Sequence, residues 1–235
     1  MDDPHTHDLP DGIVARMHGI EVPDAPHFGP NMIRSMNEGR YERRETAAGL
    51  AVIRPGARIL EMGAGAGIVG AVLARNCAPE RMVSVEANPA LIDHIAALYA
   101  HNGLDHLAEV RHGVVLSDPD APQEVTFFVR PNFLGSALDV VKKPEKASAI
   151  TVPVIRYADL KREFPHDTIM MDIEGAELDF LRHADLSGVD TFIAETHRDH
   201  YGREGMRELR ALLTAQGLKA DDDAAKVGVV VYRRV

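Results

Sequence analysis

The sequence predicts an α/β fold, a mostly parallel sheet with helices on both faces. Three observations carry the prediction. From Pro55-Gly56 onward, short apolar runs alternate with stretches at helical spacing. A glycine cluster, "GAGAG" at 63–67, directly follows the first of these runs. Acids stand where other runs end, among them Glu86 and Asp172. Ligands of such sheets bind outside the carboxyl ends of the strands.

Residues 1–12 are rich in Pro, Asp and His and are expected to be loosely ordered. Helical stretches follow near 29–38 and 41–53, with Gly39 between them and Tyr41 opening the second. "RILEM" at 58–62 reads as a buried strand and "IVGAVLARN" as the helix after it. "RMVSVEA" at 81–87 is the second strand. "NPALIDHIAALYAHNG" at 88–103 is a complete helix signal. Asn88 can cap it, Pro89 suits the first turn and Gly103 the stop, and Leu91, Ile95 and Leu98 give one apolar face. "EVRHGVVLS" at 109–117 is a third strand. Two strands at "EVTFFV" and "SAITVPV" then form an insert over about 123–154. A short helix at "ADLKREF", a strand at "TIMMDI", a helix at "AELDFLRHA" and a strand at "DTFIAET" resume the alternation. A helix at "EGMRELRALLTAQG" and a strand at "KVGVVVYRR" complete it. We expect a segment over 1–54 that covers the substrate site and a cofactor-binding domain over 55–235.

Composition narrows the function. Apolar residues make up 45% and charged residues 26% of the 235, the balance of an ordinary globular protein. There is no apolar run of membrane-spanning length, and the polar, acidic N-terminus lacks a secretory signal, so a cytoplasmic location is expected. Cys77 is the one cysteine, which excludes an internal disulfide and a cysteine-built zinc site; it reads as a small buried hydrophobe. The net charge of −10 argues against nucleic acid, whose phosphates need clustered Lys and Arg. No membrane partner is expected either.

Gly65, Gly67 and Gly70 fit the spacing of a dinucleotide loop, which keeps a nicotinamide or flavin cofactor open as an alternative. The register favours E-x-G-x-G-x-G instead, over Glu61, Gly63, Gly65 and Gly67. A carboxylate at the mouth of that loop would repel a diphosphate by roughly 4 kcal/mol at ~4 Å and a surface-like dielectric. S-adenosylmethionine has no phosphate and carries a cationic sulfonium and amino group, so the same acid helps it. Glu86 ends the second strand, where an acid can accept hydrogen bonds from ribose hydroxyls.

"MMDIEGAELDFL" at 170–181 places Asp172, Glu174 and Glu177 around Gly175, where a strand passes into a helix. Asp172 and Glu174 are two apart and share a face. Glu177 falls in the first helical turn, where capping alone explains it. "IAETH" puts Glu195 and His197 at the end of the next strand. "YERRE", "GARILEMGAGAGIVG", "VSVEANPALIDHI", "VPVIRYADL", "MMDIEGAEL" and "IAETH", in that order from Tyr41 to His197, resemble the FkbM-type S-adenosylmethionine-dependent methyltransferases.

The resemblance implies a class I methyltransferase (Rossmann-like) fold, its mostly parallel seven-stranded sheet ending in an antiparallel last strand. It implies methylation of a hydroxyl on a small molecule, sugar or secondary metabolite. By position Glu61, Gly63, Gly65 and Gly67 match the family's cofactor loop. Glu86, Ala87 and Asn88 match its ribose and adenine segment, Asp172 and Glu174 its D-x-E-G acids, and His197 its E-x-H histidine. The chain departs from the pattern in having Glu61 and Gly65 where the family commonly has Asp and Asn. His197 is expected to be the base, since imidazole titrates nearest neutral pH, and Asp172 to face the methionine portion or orient that base. Asp172, Glu174, Glu195 and His197 also offer ligands to a divalent ion such as magnesium, left unassigned here. Tyr41, Asn132 and Ser136 are candidate substrate contacts. A protein that binds the cofactor without turnover is the reading from another functional class.

Overall fold

The computed structural model describes residues 9–130, 136–138 and 147–234. It opens with an antiparallel hairpin of β1 (Ile13–Met17) and β2 (Ile20–Pro23), followed by α1 (Pro30–Asn37) and α2 (Arg43–Val52). The alternating part runs β3 (Arg58–Met62), α3 (Ile68–Cys77), β4 (Arg81–Glu86), α4 (Pro89–His101) and β5 (Ala108–His112). Next come β6 (Val114–Leu116), β7 (Glu124–Val129) and β8 (Ser148–Arg156). The chain continues through α5 (Tyr157–Glu163), β9 (Thr168–Met171), α6 (Glu177–His183), β10 (Thr191–Glu195), α7 (Arg198–Ala215), β11 (Leu218–Ala220) and β12 (Val229–Arg234).

The main sheet has seven strands in the order β11-β12-β10-β9-β3-β4-β5. β5, β4, β3, β9 and β10 are parallel neighbours, and β12 runs antiparallel between β10 and β11. This is the expected class I methyltransferase (Rossmann-like) arrangement, last strand included. Side chains two apart share a face, and the core divides accordingly. Ile59, Met170 and Ile193 pack under α2, α3, α4 and the hairpin. Leu60, Met62, Ile169, Met171 and Phe192 pack against α5, α6 and α7. Burial on both faces explains why these strands read as unbroken apolar runs.

Several elements differ from the sequence expectation. The hairpin at 13–23 and β11 were not anticipated. The single strand expected over 109–117 is two, because the chain turns out of the main sheet at Gly113, where a Cβ would stand 2.9 Å from the Ile155 side chain. β6 then pairs with β8, making the insert a three-stranded sheet, β6-β8-β7. α7 begins at Arg198, earlier than expected, and is kinked at Gly202 (φ 63°, ψ −163°). α2 begins at Arg43; Tyr41 is buried ahead of it, and Glu42 is left-handed (φ 41°). Residues of the first 54 share the core of the α3–α4 layer, including Ala15, Met17, Ile20, Met36 and Ala48. Cys77 is buried, and among the described residues no helix is long and apolar enough to cross a membrane.

Candidate active site

Three strand ends are locked together where the glycine loop begins. Gly63 (φ +82°) lies so close to β9 that a Cβ there would stand 1.7 Å from the Asp172 carbonyl oxygen. The Gly63 and Ala64 amides donate to the Val85 carbonyl at 2.9 and 3.1 Å, and the Asp172 amide donates to the Met62 carbonyl at 2.9 Å. Glu86 closes the loop from the other side. Its Oε2 accepts from the Gly65 amide at 2.7 Å and its Oε1 from the Asn88 amide at 2.7 Å. Burial pushes this carboxyl up to about 7. Gly67 serves packing: a Cβ there would meet Ile95 at 2.8 Å.

Beside this loop is a cavity of about 420 Å³. Gly63, Gly65, Glu86 and Ala87 form one wall, Phe127, Ser136 and Leu138 of the insert another, and Asp172, Glu174 and Phe180 a third, with Glu42 reaching in. Six acids stand on its wall, Glu42, Glu86, Asp118, Asp172, Glu174 and Asp179, against Arg182 and His183. The Arg182 guanidinium is engaged, donating to Glu208 at 2.8 and 3.0 Å and to Asp179 at 2.6 Å.

Other expected contacts stand elsewhere. Glu61 is 2% exposed and not part of the cavity wall; it shares the Ile59 face of β3, beneath α3. A Cβ at Gly70 would stand 2.5 Å from its Oε2 and 2.4 Å from the Tyr99 hydroxyl. Burial pushes Glu61 up to about 7. The acid that meets the glycine loop is therefore Glu86, and the picture of Glu61 guarding the loop mouth is corrected. Asn88 acts as the α4 cap, its Oδ1 accepting from the Ala90 amide at 3.1 Å. Tyr41 is buried and lies outside the wall, while Glu42 next to it is in the wall. Ser136 is in the wall, its Oγ accepting from the Arg130 amide at 3.0 Å. Asn132 lies outside the described residues.

His197, at the end of β10, meets the loop after β9. Its Nδ1 donates to Glu177 Oε1 at 2.9 Å, and its Nε2 lies 3.3 Å from Glu174 Oε2 and 3.8 Å from Asp172 Oδ1. Glu174 is left-handed (φ 53°), and the Gly175 amide also donates to Glu177 Oε1 at 3.1 Å. Burial opposes the imidazolium charge, but the hydrogen bonds to Glu174 and Glu177 and the charges around it prevail and push His197 up to about 11. The shift favours the imidazolium form. Asp172 is displaced upward, first by burial and then by the charges of Glu195, Glu174 and Glu42. Glu195 is raised by burial and by the charge of Glu45. Burial also lifts Glu42 to about 8.

Two contributors went unread in the sequence. Glu42, within "YERRE", carries no spacing signal that marks it out. Glu177 was taken as a cap, yet it is fully buried and holds His197. Asp172, Glu177 and His197 each offer a ligand atom within 4.8 Å of the others.

The methyltransferase FkbM domain profile matches residues 61–220. A protein of Jannaschia sp. (strain CCS1) with a provisional methyltransferase name is 27% identical over 198 residues, covering 73% of this chain and 70% of that one. Among solved structures, an O-methyltransferase from Bacillus cereus in complex with SAH is similar at a TM-score of 0.48 and 16% identity, over 89% of this chain and 84% of that one. A Streptococcus pneumoniae protein, provisionally named a tRNA (m1A22) methyltransferase and complexed with S-adenosyl-L-methionine, has a TM-score of 0.49 and 15% identity, over 82% of this chain and 72% of that one.

Proposed function

The chain belongs to the methyltransferase FkbM domain family, and from that premise we propose that it methylates a hydroxyl group on a small molecule, with S-adenosylmethionine as donor. The observation that carries the choice of donor is the make-up of the cavity wall: six acidic side chains, and an arginine already tied to Glu208 and Asp179 and so not free for a diphosphate. A cationic donor without phosphate fits such a wall, and a diphosphate-bearing nicotinamide cofactor does not. The net charge of −10 supports a small acceptor over nucleic acid.

When bound, S-adenosylmethionine supplies an activated methyl on a good leaving group. The chain's own residues do the rest. Glu86 would accept from the ribose hydroxyls with the lone pairs left over from Gly65 and Asn88. Gly63 and Gly65 let the backbone come close. Asp172, Glu174 and Glu42 face the positive end of the donor. Fixing the acceptor in line is worth ~7–11 kcal/mol.

Deprotonating the acceptor falls to the Asp172–Glu195 pair. His197, expected to be the base, is held toward its imidazolium form by Glu174 and Glu177, which makes it a poor proton acceptor. Two neighbouring carboxyls that resist joint ionisation retain one proton between them and leave one position able to accept another. Their upward displacement makes them stronger bases than free carboxylates.

The test is a screen of hydroxylated and aminated metabolites with methyl-labelled donor, alongside calorimetry with S-adenosylhomocysteine and NADH. We expect S-adenosylhomocysteine to bind, NADH not to, and label to appear on a hydroxyl. Asp172→Asn should lower kcat by ~10²–10⁴-fold. Label on amines alone would refute O-methylation. Binding without any transfer would favour a cofactor-binding protein.

A further inference from the structure

Glu177 is the one acid of the cluster with no access to solvent. Its Oε1 is used twice, by His197 Nδ1 and by the Gly175 amide. Its Oε2 is buried and has no hydrogen-bond partner. Asp172 Oδ1 is in the same condition, 3.8 Å from His197 Nε2. Buried carboxylate oxygens are normally satisfied, and two orphans beside one imidazole can be met by a cation that displaces a ring proton and takes its place.

The spacing suits an ion. Ligand atoms of Asp172, Glu177 and His197 lie within 4.8 Å of one another. On a six-coordinate ion with bonds of about 2.1 Å, neighbouring ligands stand about 3 Å apart and opposite ones about 4.2 Å. The donors come from three places in the fold, the end of β9, the first turn of α6 and the end of β10, so the site forms only in the folded chain. Two carboxylates and one imidazole, with no thiolate nearby, select a hard to borderline ion of the manganese or magnesium class. The Gly175 amide on Glu177 would steady that ligand. The ligand set differs from that expected from sequence, with Glu177 replacing Glu174 and Glu195.

We propose that Asp172, Glu177 and His197 bind one divalent cation of the manganese or magnesium class, at the edge of the cavity that takes the methyl acceptor. Binding requires only these residues. Any part the ion plays in activating the acceptor hydroxyl rests on the methyl-transfer reading above.

The test uses the full chain, stripped with EDTA, desalted and titrated with Mn²⁺ while free Mn²⁺ is followed by electron paramagnetic resonance. We expect one ion per chain, displaced by excess Mg²⁺. Glu177→Gln and His197→Gln should each weaken binding at least tenfold, while Asp222→Asn, at an exposed aspartate outside the proposed ligand set, should leave it unchanged. Thermal melting verifies that each variant folds, and if one does not, the other carries the comparison. No Mn²⁺ binding by the wild type, or equal binding by wild type and the folded variants, overturns the site. S-adenosylhomocysteine binding is measured on the same samples. Its presence without Mn²⁺ binding sinks the ion site alone, and the converse sinks the donor reading alone.

Discussion

Glu86 uses both carboxylate oxygens to hold backbone amides, one from the glycine loop and one from the start of α4. Glutamine keeps the shape but has a single acceptor oxygen. In Glu86→Gln an NH₂ group must face either Gly65 or Asn88, donor against donor, and a ribose acceptor is lost as well. We expect S-adenosylhomocysteine affinity to fall by ~10–100-fold, about 1.4–2.7 kcal/mol, read by calorimetry. An unchanged affinity would remove Glu86 from the cofactor site. The contact of Glu86 with the glycine loop was legible because the acid ends the strand beside that loop. Glu61 misled for a physical reason. The spacing E-x-G-x-G-x-G fixes its distance from the loop along the chain, but the pleat fixes its direction. Sharing a face with Ile59, it points under α3 toward Tyr99 and Ser84. Glu177 was illegible for the converse reason. Acids are common in a first helical turn, and only the approach of β10 in three dimensions turns this one toward His197.

Asn102 at the end of α4 ties the N-terminal hairpin to the Rossmann-like core. Its Oδ1 accepts from the Glu21 amide at 2.9 Å, and its Nδ2 donates to the Glu21 carbonyl at 2.8 Å and to the Leu98 carbonyl at 2.9 Å. Asn102→Ala removes three hydrogen bonds and leaves the Glu21 peptide poorly satisfied, at a cost of about 2 kcal/mol in urea unfolding. The 13-residue α4 separates Asn102 from Asn88 by ~20 Å of helix, so cofactor affinity should hold. Hydrogen exchange over 13–23 should quicken; a loss of stability with no such change would mean that the hairpin is not what Asn102 secures. The alternating elements from β3 to β10 could be read because strands buried on both faces leave unbroken apolar runs between helical periods. The hairpin escaped notice because its buried side is only Ala15, Met17, Ile20 and Val22, interleaved with Arg16 and Glu21. Its turn at His18-Gly19, with φ of 45° and 81°, suits a two-residue hairpin loop. A lone hairpin is marginal in water, and packing on α3 and α4 makes this one stable. The break at Gly113 was hidden because the residues on either side of it are equally strand-like, and the change of partner from β4 to β8 is a property of the sheets.

Across the molecule, the protonation of its buried carboxyls should govern stability. Burial raises Glu61 and Glu86 to about 7 and Glu42 to about 8, against 4.5 in an unfolded chain. Between those values the folded protein holds protons that the unfolded chain has released, so stability falls as pH rises. His197, held at about 11 against 6.5 unfolded, extends the fall at higher pH, because the unfolded imidazole loses its proton first. Asp185 works the other way. Hydrogen bonds from Lys161 and Ser187 hold it at about 2, so its contribution is present above 3.8 and is lost only toward the acid extreme. The melting temperature of the protein without ligand should therefore be higher at pH 5.5 than at pH 8.5, and His197→Gln should flatten the limb above neutrality. A cationic donor entering this cavity meets more ionised carboxylates at pH 8.5. Saturating S-adenosylmethionine should raise the melting temperature more there than at pH 5.5. Scanning fluorimetry at the two pH values, with and without S-adenosylmethionine, measures both differences. A melting temperature that rises from pH 5.5 to 8.5 would show that the buried carboxyls do not retain their protons in the folded protein.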